Sequence, residues 1–422
     1  KSRSIMDDEK RSNTQDWNLQ ATHELRIEVA SSESFSLKLT RGTAEIFGSE
    51  LAQDRTYTFV NKNFAVFTWH GCDLTSTGSC KVAYIAGETP MTTYLNTHAV
   101  LVNMRKEASE RNTAGPRVMI VGSSDSGKST LCRMLLSYAV RSDTEPMFVD
   151  LDVGQNGISI PGTVSATPVD QMIDVEFGID SKVPIVYFYG ANYPGMNMEL
   201  YKSCVDELAS SVLQRLKTDP KSNQSGLIIN TCGWIEGNGY VLLLHIAERF
   251  KVDVILSVGQ DKLLAQLQAE LNLDHVSIMK LEKSGGVISR DSKQRRAARM
   301  QRIREYFRGP STDLFPHQKV LDFDDIQLYR IGGGPKAPSS ALPRGQESVV
   351  DVTKPKLIRP TKDLTHCVLA VSHSVDVETL STQNIAGFIH VTEVDTVKKQ
   401  LTCLAPCPGP LPGVHLLVGS IK

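Results

Sequence analysis

The chain has 422 residues, more than one hydrophobic core usually organises, so two or three domains are expected. Hydrophobic residues make up 41% and charged residues 22%, an ordinary globular balance that excludes a disordered or fibrous chain. Formal net charge is -1, which excludes a global field toward nucleic acid or membrane and leaves any basic partner site local. No run approaches the ~20 apolar residues of a membrane span, and the N-terminal K-S-R-S-I-M-D-D-E-K is polar with no secretory core. No membrane partner is expected. The eight cysteines are scattered, without a disulfide framework or paired C-x-x-C spacing, as suits a reduced intracellular compartment. Cys403, Cys407, His366 and His390 are therefore read as ordinary thiols and imidazoles rather than as a zinc site.

From His23 to about Val102 apolar residues alternate with period two: Leu25, Ile27 and Val29, then Phe35, Leu37 and Leu39, then Ala65, Phe67 and Trp69, then Val82 and Tyr84. This pattern predicts a small antiparallel β domain, taken as residues 1–105 and sandwich-like. The polar segment Arg105 to Pro116 reads as a junction. After it, apolar strands alternate with helical stretches. Strands are predicted at Arg117 to Val121, Pro146 to Leu151, Val183 to Tyr189, Leu227 to Asn230, Asp253 to Val258 and Val276 to Leu281, with helices at Met198 to Lys217 and Gly239 to Phe250. Such alternation implies an α/β domain, residues 106–312, whose parallel sheet presents ligands at the carboxyl ends of its strands. Beyond it, I-G-G-G-P-K-A-P-S-S-A-L-P-R-G precedes strands at Cys367 to Val371 and Ala386 to Val391, a small β-rich third domain over 313–422.

The chemistry-bearing stretch is V-M-I-V-G-S-S-D-S-G-K-S-T, an apolar strand running into a glycine-framed loop. Gly122, Ser123, Ser124, Asp125, Ser126, Gly127, Lys128 and Ser129 fit G-x-x-x-x-G-K-[ST], with a helical run after them. Backbone N–H groups and the helix start cradle phosphates, Lys128 reaches the β and γ oxygens, and Ser129 ligates magnesium. In P-M-F-V-D-L-D-V-G-Q, Asp150 and Asp152 point the same way if the strand persists. Asp152, nearer the carboxyl end, is the candidate general base and Asp150 a magnesium or structural partner. Capping of a turn is the alternative for Asp152.

D-V-G-Q is one residue short of the GTPase switch D-x-x-G-Q, and Asn230-Thr231-Cys232-Gly233 stands where a guanine-reading N-K-x-D belongs. Guanine specificity therefore has no visible basis. Trp234 follows at a strand end, where an indole either stacks on a base or fills a core, and the sequence leaves both open. Between Arg290 and Arg304 lie six arginines and one lysine. On a helix Arg295, Arg299 and Arg302 share one face while Met300, Ile303 and Phe307 mark another. Such a face suits charge neutralisation on a transferred phosphoryl group, while a solvated helix or a nuclear signal would read alike.

Together, G-S-S-D-S-G-K-S-T, F-V-D-L-D-V-G-Q, N-T-C-G-W and the arginine run resemble the polynucleotide 5′-hydroxyl kinase family over the whole chain. The similarity is greatest to its members that serve as RNA kinase subunits of the cleavage/polyadenylation machinery and the tRNA splicing endonuclease. The resemblance implies ATP and Mg2+, transfer of phosphate to an RNA 5′-hydroxyl, and work in the nucleus in tRNA splicing and mRNA 3′-end processing. It assigns Lys128, Ser129 and Thr130 to triphosphate and metal, and Asp152 to general base. Gln155 and Thr231 through Trp234 go to the 5′-terminal nucleotide, Arg290, Arg295 and Arg299 to a lid, and Glu24 and Lys62 to adenine. Because some family members retain ATP without kinase activity, a scaffold role is the alternative.

Overall fold

A computed structural model describes residues 14–181, 183–271, 275–332 and 353–422. Most of the Gly- and Pro-rich stretch after Ile331, and the polar N-terminal decamer, lie outside the described residues.

Two antiparallel sheets face each other in the N-terminal part. One runs in the order Thr14–Leu19, Cys72–Gly78, Ser34–Gly42, Thr56–Val60, and the other Ser49–Glu50, Glu45–Ile46, Asn63–Phe67, Glu24–Glu28, Val82–Ala86. Leu25, Ile27, Phe35, Leu37 and Leu39 point inward at 3% exposure or less, as their period requires. In the strand Asn63–Phe67 the phase differs from expectation: Phe64 and Val66 enter the sandwich core, while Phe67 and Trp69 pack toward the central domain. At its carboxyl end this strand is buried on both faces, so alternation alone could not tell its inside from its outside.

The helix Met91–Arg111 runs across the junction read at Arg105 to Pro116. Its buried side carries Thr97, His98 and Arg105 beside Leu101 and Ala108, which is why no apolar stripe announced it. The Arg105 guanidinium donates to the Ser225 carbonyl at 2.8 Å and is otherwise sealed in.

The central sheet has seven strands in the order Ile185–Phe188, Thr163–Pro168, Met147–Asp150, Leu227–Asn230, Arg117–Val121, Val254–Val258, Ser277–Leu281. Six share one direction, and Thr163–Pro168 runs against them. That strand is absent from the sequence reading because T-V-S-A-T-P is buried along nearly its whole length and rich in hydroxyls, so it shows neither alternation nor an apolar run. Helices Met198–Thr218 and Asn238–Phe250 pack on one face and Lys128–Arg141 on the other. The chain leaves the sheet at Val121, Asp150, Phe188, Asn230, Val258 and Leu281 along one edge, so six connecting loops converge there.

The C-terminal part is a seven-stranded, mainly antiparallel sheet from His317–Asp322 to His415–Val418. Tyr306, Ile303 and Phe307 of the helix Ser292–Arg308 join it to the central domain: Ile303 and Phe307 are buried, and the Tyr306 hydroxyl accepts from the Phe388 N–H at 3.0 Å. Met300, expected on that packing face, is 47% exposed. No described helix is long and apolar enough to cross a membrane.

Candidate active site

The strand-to-helix turn after Val121 wraps the phosphate loop. Gly127 sits at φ 94 immediately before the helix Lys128–Arg141, in the left-handed region that a side chain resists. Lys128 is buried at the loop's mouth and donates to the Ser123 carbonyl at 2.9 Å. Burial holds its ammonium below the ordinary lysine value, opposed chiefly by the charge of Asp152. Ser124, Ser129 and Thr130 are exposed into a cleft of about 1180 Å³ that runs from the N-terminal sandwich across the central sheet edge.

The strand Met147–Asp150 stops before Asp152, so the two aspartates do not share a strand face as the sequence suggested. Asp150 is 1% exposed and accepts three N–H bonds: from Asp152 N at 3.0 Å, Asn230 Nδ2 at 3.0 Å and Gly157 N at 2.7 Å. It braces the loop from behind. The Tyr201 hydroxyl adds a second brace, donating to the Leu151 carbonyl at 2.9 Å. Asp152, so held, lines the cleft; its Oδ1 accepts from Gly154 N at 2.9 Å and Gln155 N at 3.2 Å. It both caps a turn and faces the site, so the two readings of this residue are compatible. Burial raises its carboxyl above the ordinary aspartate value, against the pull of those N–H groups and of Lys128.

Asn230 was quoted from sequence only within N-T-C-G-W. Its Nδ2 also reaches Ser129 Oγ at 3.2 Å, and its buried Oδ1 has no hydrogen-bond partner among the described residues. The Ser129 hydroxyl, exposed into the cleft at the start of the helix, is the oxygen that suits a hard cation keeping most of its water, which is how magnesium is bound next to phosphates. Among the described residues no three His, Cys, Asp or Glu side chains form a dedicated metal cluster.

The stretch Thr231 to Trp234 divides. The Thr231 hydroxyl is buried and donates to the Ile120 carbonyl at 2.8 Å, so this side chain is structural. Cys232, Gly233 and Trp234 line the cleft. Gly233 is needed for contact: a Cβ there would lie 2.3 Å from Ser124 Oγ, inside the phosphate loop. Trp234 is half-buried, based on the core, with the Tyr193 ring 5.1 Å away at 42°. Tyr193, 44% exposed, was not singled out from sequence; its place just after a strand of the same sheet was the available signal.

The lid helix Ser292–Arg308 starts at a capping box, Asp291 Oδ1 accepting from Gln294 N at 2.7 Å and Gln294 Oε1 from Asp291 N at 2.9 Å. The capping fixes the helix start beside the cleft. Asp125, counted with the phosphate-binding residues from sequence, grips the lid: it accepts from Arg290 N at 2.9 Å, Arg290 Nε at 3.0 Å and Arg295 Nη2 at 2.7 Å. Gln155 closes the circle, taking Arg290 Nη1 at 3.1 Å and donating to the Arg295 carbonyl at 3.3 Å. Arg302 turns away and donates to the carbonyls of Gly157 and Ser159. Arg299 has no hydrogen-bond partner among the described residues; burial and then the neighbouring Arg296 and Arg295 lower its pKa, and Asp152 draws it the other way. It is an uncommitted cation within electrostatic reach of the candidate base.

Glu24 and Lys62 lie at the sandwich end of the same cleft. Glu24 accepts from Arg26 Nε at 2.5 Å and Thr89 Oγ1 at 3.0 Å, while Lys62 donates to the Glu176 carbonyl. Most residues singled out from sequence thus line one cleft; Gly122 and Ser123 are not part of its lining, Asp150 and Thr231 stand behind it, and Arg302 turns away.

Three families cover this architecture in order. Residues 18–108 match the N-terminal β-sandwich domain of polyadenylation factor, 122–309 the mRNA cleavage and polyadenylation factor CLP1 P-loop, and 314–422 the pre-mRNA cleavage complex II protein Clp1. The chain is 45% identical to the protein CLP1 homolog of Arabidopsis thaliana, over 96% of this chain and 93% of that one. It is 42% identical to the polyribonucleotide 5′-hydroxyl-kinase Clp1 of Homo sapiens, over 98% and 97%. Among solved structures, a wild-type Clp1p–Pcf11p complex aligns with TM-score 0.85 at 26% identity, covering 97% of this chain and 98% of that one. With the cleft, its phosphate loop and its lid in the same three-part order, the chain belongs to the Clp1 family.

Proposed function

We propose that this protein is an ATP- and magnesium-dependent polynucleotide kinase that transfers the γ-phosphate to the 5′-hydroxyl of RNA. The observation that carries the proposal is that Asp152 and the unpaired Arg299 face the same cleft as Lys128, with the Tyr193–Trp234 pair beside them. A site that only released phosphate to water would need no aromatic shelf. The kinase name borne by relatives at 42–45% identity supports the same reading.

The phosphate loop binds the triphosphate through its N–H groups and Lys128, with Glu24 and Lys62 at the base end. Ser129 Oγ is the group that would hold magnesium, which would supply positive charge against the triphosphate. Asp152 takes the proton of the RNA 5′-hydroxyl as that oxygen bonds to the γ-phosphorus and the bond to the β-phosphate oxygen breaks, leaving ADP. Arg299, with Arg295 and Arg290 closing over it, stabilises the charge on the moving group. Trp234 and Tyr193 offer ring faces to the terminal bases, and Cys232 and Gly233 shape the floor beneath them.

The place of action we propose is the nucleus, with subunits of the cleavage/polyadenylation machinery and the tRNA splicing endonuclease as partners, in mRNA 3′-end formation and tRNA splicing. A solved relative bound to Pcf11p supports the first partner class. Solved relatives described as a Pcf11p complex and by an extended Pcf11p interface with ATP loss in a point mutant support a second reading, an ATP-holding scaffold subunit. Incubation with γ-labelled ATP and matched 5′-hydroxyl RNA and DNA oligonucleotides decides between them: label at the RNA 5′ end is expected, and nucleotide retention with no labelled oligonucleotide would establish the scaffold.

A further inference from the structure

The lid helix has a second face that the transfer site does not use. Over Ser292–Arg308 the sequence holds seven cations and a single acid, Glu305, which is already engaged by Gln301 and Arg302. A solvated surface helix usually balances its charges with acids three or four residues away. This one does not, in a chain whose net charge is -1.

The inward cations belong to the site: Arg290 and Arg295 are held by Asp125, Arg302 by two carbonyls, and Arg299 lines the cleft unpaired. The outward ones, Lys293, Arg296, Arg304 and Arg308, are exposed and have neither ion-pair nor hydrogen-bond partner among the described residues. At 3.6 residues per turn they follow, with the 47%-exposed Met300, a ridge of three- and four-residue steps about 22 Å long, bordered at the helix end by the buried Phe307. The stripe begins in the cleft, since Lys293 lines it together with Arg295 and Arg299. It ends beside an unusual exposure of apolar surface: Leu314 is 58% and Phe315 79% exposed, and Leu314 N donates to the Arg308 carbonyl at 3.0 Å, which ties the pair to the helix end.

An uncompensated row of cations leading out of a site and ending at an exposed ring is matched in chemistry by a single nucleic-acid strand, phosphates on the cations and a base on the ring. We infer that the outward face of the lid helix, from Lys293 through Arg304 and Arg308 to Phe315, is a track for the RNA strand that follows the 5′-terminal nucleotides. The inference rests on the kinase reading for what occupies the cleft. It makes the lid a sensor of substrate length: RNA lying on the track holds the inner arginines over the phosphate loop, and a dinucleotide cannot.

The test uses the full chain and a variant, Arg304→Gln with Arg308→Gln and Phe315→Ala. Transfer to a 5′-hydroxyl dinucleotide, too short to reach these residues, reports that the variant is folded and its site intact. The wild-type protein is expected to bind a fluorescein-labelled 12-mer oligoribonucleotide and to use it at lower KM than the dinucleotide. The variant should bind the 12-mer at least about tenfold more weakly, lose the length advantage, and show a salt dependence shallower by about 1.4 in log–log slope for the two charges removed. Equal 12-mer affinity and equal slope in the two proteins would overturn the track and assign the stripe to some other anionic surface. Transfer to neither oligonucleotide by the wild type would defeat the kinase reading, and the 12-mer binding comparison would still decide the track.

Discussion

The two halves of the cleft are built in opposite ways. The donor half is one continuous strand, loop and helix, Arg117 to Arg141, whose turn from Gly122 to Gly127 and first helical residues carry the phosphate-binding groups. The acceptor half is gathered from four distant stretches, around Asp152, Tyr193, Trp234 and Arg299, brought together only because their strands end at one sheet edge. A contiguous motif binds its ligand wherever the fold puts it. A gathered site depends on braces, and Asp150, Tyr201, Gln155 and Asp125 are those braces here.

Four measurements would sharpen or break that contrast, beginning with the largest effect. Arg299→Ala should lower kcat by about 10³-fold or more while ATP binding, followed by calorimetry, changes little, because an unpaired arginine acts mainly in the transition state. A matching loss of ATP affinity would move Arg299 to the donor half. Asp152→Asn should cost about 10²–10⁴ in kcat. The wild-type kcat/KM should carry an acid limb: the base works deprotonated and its carboxyl is raised by burial, so rate is lost as pH falls through a value above the ordinary aspartate range. That limb should vanish in the variant, and its persistence would point to another base.

Trp234→Ala should weaken RNA binding by about 1–3 kcal/mol, read as KM for the oligonucleotide, with ATP affinity held. An unfolded variant by circular dichroism would make Trp234 a core residue instead. The smallest effect belongs to Asp125→Asn, which keeps the shape of the lid clamp and removes its charge. Turnover should drop by roughly severalfold with ATP affinity equal or higher, since one carboxylate leaves the neighbourhood of the phosphates. A fall confined to ATP binding would return Asp125 to the cofactor role that its position in the motif suggests.

Legibility followed the same division. Strands at Arg117–Val121 and Leu227–Asn230 and the two long helices could be read because an apolar run or a helical period marks them. Thr163–Pro168 and Met91–Arg111 could not: the first is buried among hydroxyls, and the second buries Thr97, His98 and Arg105 through tertiary contacts. Within the site the phosphate loop was plain, yet the partner of Asp125 lies 165 residues away and no local pattern reports it. Asp152 could be told from Asp150 by its place nearer the carboxyl end, but the turn that carries it and the bracing contacts of Asp150 follow from where the strand stops. Tyr193 escaped because a tyrosine in a loop is ordinary until Trp234 is placed beside it.

The central claim is that donor and acceptor halves work on one phosphate. Its most direct test follows γ-labelled phosphate from ATP in the presence and absence of a 5′-hydroxyl oligoribonucleotide. The account predicts label at the RNA 5′ end, little release to water without RNA, and loss of transfer in Asp152→Asn with ATP still bound. Phosphate released to water at the same rate with or without RNA, and no label on the oligonucleotide, would contradict it.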